Sequence, residues 1–246
     1  MVKMTLKEER PMHTKLRSNQ LYVTVDLLIL TIRENRLNLL LSRRQAPPFE
    51  GRWALPGKFI AVDESAETAA RKLLEEMLPL PEAYLEQLYT FTEVDRDPRG
   101  RVISTAYLVI VPFSRLKKLP ESAAVPFHAF RVKTEDGLEL DDGLGNVLTE
   151  NDLAFDHGRI ARTGILRLRG KIDYTEIGFQ FLENRQAFSL SELQTVFEAV
   201  LDTGLDSSNF RRGILARYER SGQLAQTSLE EKRGRGRPAA LYCLKE

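Results

Sequence analysis

The apolar positions of this chain follow two periods. Leu21–Ile32 is a run of Val, Ile, Leu and Thr broken by Asp26, which predicts a buried strand. After the Glu34-Asn35 turn, Arg36–Ser42 predicts a second strand, and Arg43–Gly51 reads as a proline-containing loop. Across Ser65–Leu78 the period changes. Ala66, Ala69, Ala70, Leu73, Leu74 and Met77 recur at spacings of three and four, the stripe of an amphipathic helix. Ser65 or Asp63 is placed to cap its start, and Pro79 and Pro81 stop it. Leu88–Val94 and Val102–Val111 predict strands joined by Asp95–Arg101, where Asp97-Pro98-Arg99-Gly100 fits a turn with proline second and glycine fourth. Pro112–Thr149 reads as loop-rich with short strand candidates, and the first 19 residues as a charged, aperiodic arm.

From Ile160 onward helices dominate, and Ile160–Arg169 is expected to bridge two domains, 1–155 and 156–246. Ser189 and Glu192 form a capping box, with Phe188 and Leu193 as its hydrophobic staple. Leu193, Val196, Phe197, Val200 and Leu201 then mark a helix that Asp202-Thr203-Gly204 ends, with Gly204 expected as the left-handed residue. A second helix, starting near Asp206 or Ser207, buries Phe210, Ile214 and Tyr218 and leaves Asn209, Arg211 and Arg212 on other faces. Gln223–Leu229 and Ala239–Leu244 read as a hairpin around the basic turn Lys232–Pro238.

Composition narrows the class. The chain has 246 residues, 42% hydrophobic and 29% charged, which is ordinary for a folded globular protein. No apolar run approaches the roughly 20 residues of a membrane helix, and the N-terminal segment lacks an apolar signal core. A cytoplasmic location with no membrane partner is the expectation. One cysteine, Cys243, excludes an internal disulfide, and three scattered histidines speak against a metal site. Net charge is only +1, but residues 161–246 carry about +3, which points to a polyanion partner for that half.

Two constellations carry chemistry. Gly57, Asp63, Arg71, Leu73, Glu75 and Glu76 stand at the spacings of G-x5-E-x7-R-E-U-x-E-E-x-G-U (U apolar), and this segment resembles the Nudix box. The resemblance implies an α/β/α sandwich in which helix carboxylates bind Mg²⁺ and cleave a pyrophosphate. Here Lys72 replaces the glutamate after Arg71, Leu78 replaces the following glycine, and Lys58 stands where a second glycine is usual. Lys72 precedes Glu75 and Glu76 by three and four residues, so it is expected on their face as an internal substitute for the cation. The box thus reads as degenerate, with no catalytic residues, no metal and no cofactor. Guanidiniums bind phosphate as a bidentate fork. Arg43, Arg44, Arg96, Arg99 and Arg101, with Phe49, Trp53 and Phe91 as ring faces, are therefore the candidate pocket for a nucleoside-diphosphate effector.

The helix pair and basic hairpin of the second half read as a winged helix-turn-helix, so the fold class is α+β. In that reading Asn209, Arg211 and Arg212 enter the major groove of double-stranded operator DNA, and Arg233, Arg235 and Arg237 reach backbone or minor groove. Together with Tyr84-Leu85-Glu86-Gln87-Leu88, Arg96–Arg101, Leu153-Ala154-Phe155-Asp156-His157 and Arg237-Pro238-Ala239-Ala240-Leu241-Tyr242, the two halves resemble the Nudix-related transcriptional regulators, the NrtR family. That resemblance implies a homodimeric repressor of NAD-metabolism genes that senses a metabolite, often ADP-ribose and in some relatives a sugar. The rival reading is a hydrolase of ADP-ribose or a similar nucleoside diphosphate with a DNA-binding tail.

Overall fold

A computed structural model describes residues 20–78, 80, 83–117, 127–134, 137–231 and 238–245. The long apolar run forms β1 (Tyr22–Arg33), which turns through Glu34 and Asn35, both at positive φ, into β2 (Arg36–Arg43). Two short strands follow, β3 (Trp53–Ala54) and β4 (Gly57–Phe59), then helix α1 (Ala66–Met77). Ser65 caps α1 by accepting the Thr68 N–H, and Leu78 ends it in extended conformation, as expected before a proline. Next come β5 (Tyr84–Phe91), β6 (Val102–Ile110) and the short helix α2 (Phe113–Lys117). The strands β7 (His128–Lys133), β8 (Glu139–Asp141) and β9 (Val147–Thr149) complete a sheet ordered β5-β6-β1-β2-β7-β8-β9, with β4 on β1 and β3 on β2. The β1–β6 pair is parallel and runs from Tyr22↔Val102 to Leu30↔Ile110.

Alternation along β1 and β2 divides the core. Val25, Leu27, Ile29 and Leu40 face α1 and bury its Ala69, Ala70, Leu73, Leu74 and Met77. Leu28, Leu30, Leu37, Leu39 and Leu41 face the other way, onto Ile160, Ala161, Ile165 and Leu168 of α3 (His157–Ile172). The sheet is therefore enclosed between two helices.

That second cluster continues without interruption into the C-terminal third. It takes in Phe179, then Phe188 of β10 (Phe188–Ser189), then Leu193, Phe197 and Val200 of α4 (Leu190–Leu201). Helix α5 (Ser207–Ile214) adds Ile214, and a widened turn at Leu215–Glu219 adds Tyr218. The antiparallel pair β11 (Leu224–Glu231) and β12 (Ala239–Leu244) closes a three-stranded sheet with β10. The capping box forms as expected: Ser189 Oγ accepts the Glu192 N–H and Glu192 accepts the Ser189 N–H.

Three expectations are corrected. The strand expected at Leu88–Val94 lies at Tyr84–Phe91, because a bulge between Gln87 and Tyr89 shifts the β5–β6 register and breaks the alternation. The short strand candidates of loop-rich Pro112–Thr149 form β7, β8 and β9, ordered by their sheet partners, but the segment opens on a short helix, α2, that the pattern did not show. The left-handed end of α4 is Asp202 at φ 53, and Gly204 lies beyond it. Among the described residues, no helix is long and apolar enough to cross a membrane.

Helix α3 begins against the backbone of Glu150, and a Cβ at Gly158 would collide with the Glu150 carbonyl. Gly158→Ala should destabilise the protein by about 1–3 kcal/mol in urea unfolding. Gly170→Ala, on the same helix with open space around it, should be neutral or stabilising by up to ~1 kcal/mol. Equal effects at both sites would refute this account of the close approach.

Candidate functional site

The Asp97–Gly100 turn closes as predicted, with the Gly100 N–H donating to the Asp97 carbonyl at 3.3 Å. Asp97 is buried and accepts both the Arg99 N–H (2.9 Å) and a two-point contact from the Arg99 guanidinium (3.0 and 2.7 Å). That fork fixes the guanidinium over the rings of Phe59 and Phe155, at 5.2 and 5.4 Å. Arg44 lies over Phe155 at 4.7 Å and is held by its bonds to the Pro48 and Ala46 carbonyls. Burial, and next the neighbouring Arg99, hold the Arg44 guanidinium below its ordinary value. These side chains, with Thr24, Asp26, Lys58 and His157, line a cavity of about 120 Å³. Two arginines on aromatic rings form a shelf for a phosphate oxygen or a pentose ring.

The floor of the cavity is a buried charge cluster. Arg96 donates to both oxygens of Asp156, at 3.0 and 2.6 Å, and lies 3.4 Å from Asp26 Oδ2. Burial opposes the Arg96 charge, but the fork to Asp156 and the Asp26 carboxylate outweigh it and raise its pKa. Ser104 donates to the same Asp26 oxygen. His157 Nδ1 accepts the Leu55 N–H at 2.9 Å, which places its proton on Nε2, 3.6 Å from Asp26 Oδ1. Arg96 thus borders the cavity with its fork already engaged.

The other predicted pocket residues are dispersed. Phe91 is 3% exposed and belongs to the core between the sheet and α3. Trp53 packs on Phe130 and His128 with Arg43 stacked over it at 4.7 Å, away from the cavity. Arg101 holds the turn by donating to the Thr92 and Glu93 carbonyls. Phe49 reaches the cavity only through Phe155, whose ring it meets edge-on at 5.0 Å. Of the eight candidates, Arg44, Arg96 and Arg99 line the cavity. Sequence reasoning missed Asp26, Phe59, Asp97, Phe155 and His157 as pocket residues. A readable signal existed in the charge of Asp26 within an otherwise apolar strand.

Two lysines stand among the carboxylates of the box. Lys72 Nζ is 2.9 Å from Glu64 Oε2, and Lys58 Nζ is 3.8 Å from Glu76 Oε1. Glu64 also accepts the Ala61 N–H, and these two bonds hold its carboxyl low while Glu64 raises Lys72. The partner of Lys72 is thus Glu64, outside the predicted set, and not the Glu75–Glu76 pair. Arg71 is engaged by Glu67 at 2.9 Å, and Asp63, Glu75 and Glu76 are exposed. Among the described residues, no three His, Cys, Asp or Glu side chains are grouped to hold a metal.

In the second half, α5 presents Asn209, Arg211 and Arg212 to solvent. Asp206 caps the helix by accepting the Asn209 N–H (2.8 Å), and Arg212 donates to Asn209 Oδ1 (2.7 Å). Arg211 is steadied by the Tyr242 hydroxyl of β12 at 3.2 Å. A shallow groove runs along this face past Ser208, Arg211, Arg212 and Arg220. Arg233, Arg235 and Arg237 lie outside the described residues, between β11 and β12.

Burial, partly offset by Asp26 and Asp156, lowers the pKa of His157. The unfolded chain takes up a proton near pH 6.5 that the folded chain refuses. Stability is therefore fully present above about pH 6.5 and falls as the pH drops below it, by up to ~1.4 kcal/mol per pH unit. Thermal melts from about pH 7.5 to 5 should show this limb, and His157→Gln should flatten it; the same slope in both proteins would count against it.

Comparison with known proteins gives the family. Residues 178–244 match the model of the NrtR DNA-binding winged helix domain, and residues 22–139 match that of the NUDIX domain. The chain is 30% identical over 223 residues to the ADPR responsive transcriptional repressor NtrR of Acinetobacter baylyi, spanning 89% of this chain and 80% of that one. A shorter alignment relates it to an ADP-ribose pyrophosphatase of Methanocaldococcus jannaschii, 33% identical over 102 residues, which is 42% of this chain and 60% of that protein. The crystal structure of Shewanella oneidensis NrtR complexed with a 27mer DNA superposes with a TM-score of 0.70 at 31% identity, covering 91% of this chain and 93% of that one. With both domain types matched in order, and a relative of this identity aligned along most of both chains, the chain belongs to the NrtR family of Nudix-related regulators.

Proposed function

We propose that this protein is a homodimeric transcriptional repressor. It binds operator DNA through α5 and the arginines at 233, 235 and 237, and it releases that DNA when a nucleoside diphosphate, ADP-ribose first among them, enters the cavity. The observation that carries this reading is the placement of α3. Its first residue, His157, lines the cavity, and Asp156 just before it holds Arg96. Near its other end, Arg169 Nε donates to the Val200 carbonyl in the last turn of α4 at 2.7 Å. A change of ligand state at one end thereby reaches the DNA-reading domain at the other. The ADP-ribose response of the Acinetobacter relative and the DNA complex of the Shewanella one support the two halves of the proposal. Genes of NAD metabolism are the proposed targets, and the cytoplasm is the proposed location.

The Nudix domain acts here as a sensor and not as a hydrolase. Lys72 is bonded to Glu64, Lys58 stands beside Glu76 and Arg71 holds Glu67, so cations of the chain itself already occupy three carboxylates of the box region. Incubation with ADP-ribose and Mg²⁺ should release no products at rates near the usual enzyme range of about 1–1000 per second. Turnover in that range would overturn this part of the reading.

An operator recovered by selection on the full-length protein, titrated by fluorescence anisotropy, tests the whole. ADP-ribose should weaken operator binding about 5- to 150-fold, a coupling of about 1–3 kcal/mol. Arg99→Ala should bind the operator normally and lose the response. Arg211→Ala should cost about 1–3 kcal/mol of operator affinity with the ADP-ribose site intact. Overlaying curves with and without bound ADP-ribose would remove it as the effector, and unchanged affinity in Arg211→Ala would remove α5 as the reader.

A further inference from the structure

A second cleft, of about 240 Å³, opens beside the β1–β2 turn. It lies on the opposite face of the sheet from the ligand cavity. Asn38, in the cleft, shares a face of β2 with Leu40, which packs towards α1, whereas Asp26 shares a face of β1 with Leu28, which packs towards α3. Thr31, Asn38, Arg131 and Asp141 are register partners across β1, β2, β7 and β8, so a polar stripe runs beside the apolar Leu27, Ile29 and Leu40 of the same face. Two atoms of that stripe, Thr31 Oγ1 and Arg131 Nε, are buried without a hydrogen-bond partner among the described residues. An unpaired buried guanidinium nitrogen is costly, so it calls for an acceptor.

The other charges of the cleft are already engaged. Glu34 pairs with Arg33 at 3.2 Å, and Asp141 lies 3.5 Å from Lys133. Asp142 is occupied by Asn146 and the loop amides of Leu144 and Asn146, which keep its carboxyl low. Arg36 pairs with Asp202 at 3.1 Å, half-exposed. Among the described residues, Arg131 is the guanidinium of this cleft left without an acceptor.

We propose that this cleft is a second anion site, separate from the effector cavity, which takes a phosphate or diphosphate group on Arg131 with Arg36 as its second cation. The position gives the site a consequence. Asp202 is the left-handed residue that ends α4, and its pairing with Arg36 ties the DNA-reading domain to the sheet. An anion seated on Arg131 competes with Asp202 for Arg36, and so loosens that tie.

The probes are inorganic phosphate and inorganic pyrophosphate, titrated calorimetrically into the full-length protein. The Arg44→Ala, Arg99→Ala double variant serves as background to remove the first cavity. Saturable binding should persist in that background. It should weaken at least about tenfold on adding Arg131→Ala, as expected for loss of a charge-assisted partner, and tighten on adding Asp202→Asn, which frees Arg36. Arg131→Lys, which keeps the charge and loses the fork, should fall between the two and covers the case of a poorly folded alanine variant. No saturable binding in the background protein overturns the site. So does lowered stability in Arg131→Ala with phosphate affinity unchanged, since the partner of Arg131 would then lie within the chain.

Discussion

Arg96 brings a permanent positive charge to a position where its side chain is 4% exposed, and much of the molecule is arranged around that fact. A buried guanidinium is tolerated only when its hydrogen-bonding capacity is met by charge, and removing one partner of such a group costs several kcal/mol. Asp156 supplies both oxygens and Asp26 a third contact. Asp26 in turn takes the Ser104 hydroxyl and faces His157. The participants come from β1, from β6, from the β5–β6 turn and from the start of α3. Satisfying one charge therefore fixes the central strands, the arginine turn and the helix relative to one another.

This arrangement divides the arginines of the turn by role. Arg96 is consumed as structure, and Arg101 holds the turn to the Thr92 and Glu93 carbonyls. Arg99 is left, braced by Asp97, close to the rings of Phe59 and Phe155, and lining the cavity. Phe155 sits at φ 53, a conformation that non-glycine side chains seldom adopt. It precedes Asp156, so the clamp that fixes the helix also fixes the ring on which Arg44 and Arg99 rest.

The same clamp gives α3 its mechanical sense. Sixteen helical residues span about 24 Å. Along that length Ile160, Ala161, Ile165 and Leu168 pack into a single apolar cluster that continues to Phe197 and Val200 of α4. Close-packed interiors respond to strain by shifting between discrete arrangements. A helix anchored at one end by a charge cluster, and at the other by Arg169 on a helix-end carbonyl, can move as a unit.

The sequence alone determined the local elements and the chemistry available to them. Periodicity placed α1, α4 and α5, the capping box at Ser189 formed, and Asp97–Gly100 turned as its residues dictate. Lys72 and Leu78 announced the altered box through charge and backbone preference, both of which are local properties. Tertiary structure decided the assignments that depend on distant partners. β5 slipped from its expected position because a bulge is set by pairing with β6. Phe91 and Trp53 went to packing, and Arg96 went to Asp156, sixty residues away. Lys72 chose Glu64 over Glu75, because the loop before α1 folds back over its first turns. An arginine or an aromatic ring has the same intrinsic chemistry in a core, a clamp or a pocket. Which of these it enters is settled by burial and by the charges that the fold brings within about 3 Å of it, the reach of a hydrogen bond, and a linear pattern does not contain those distances.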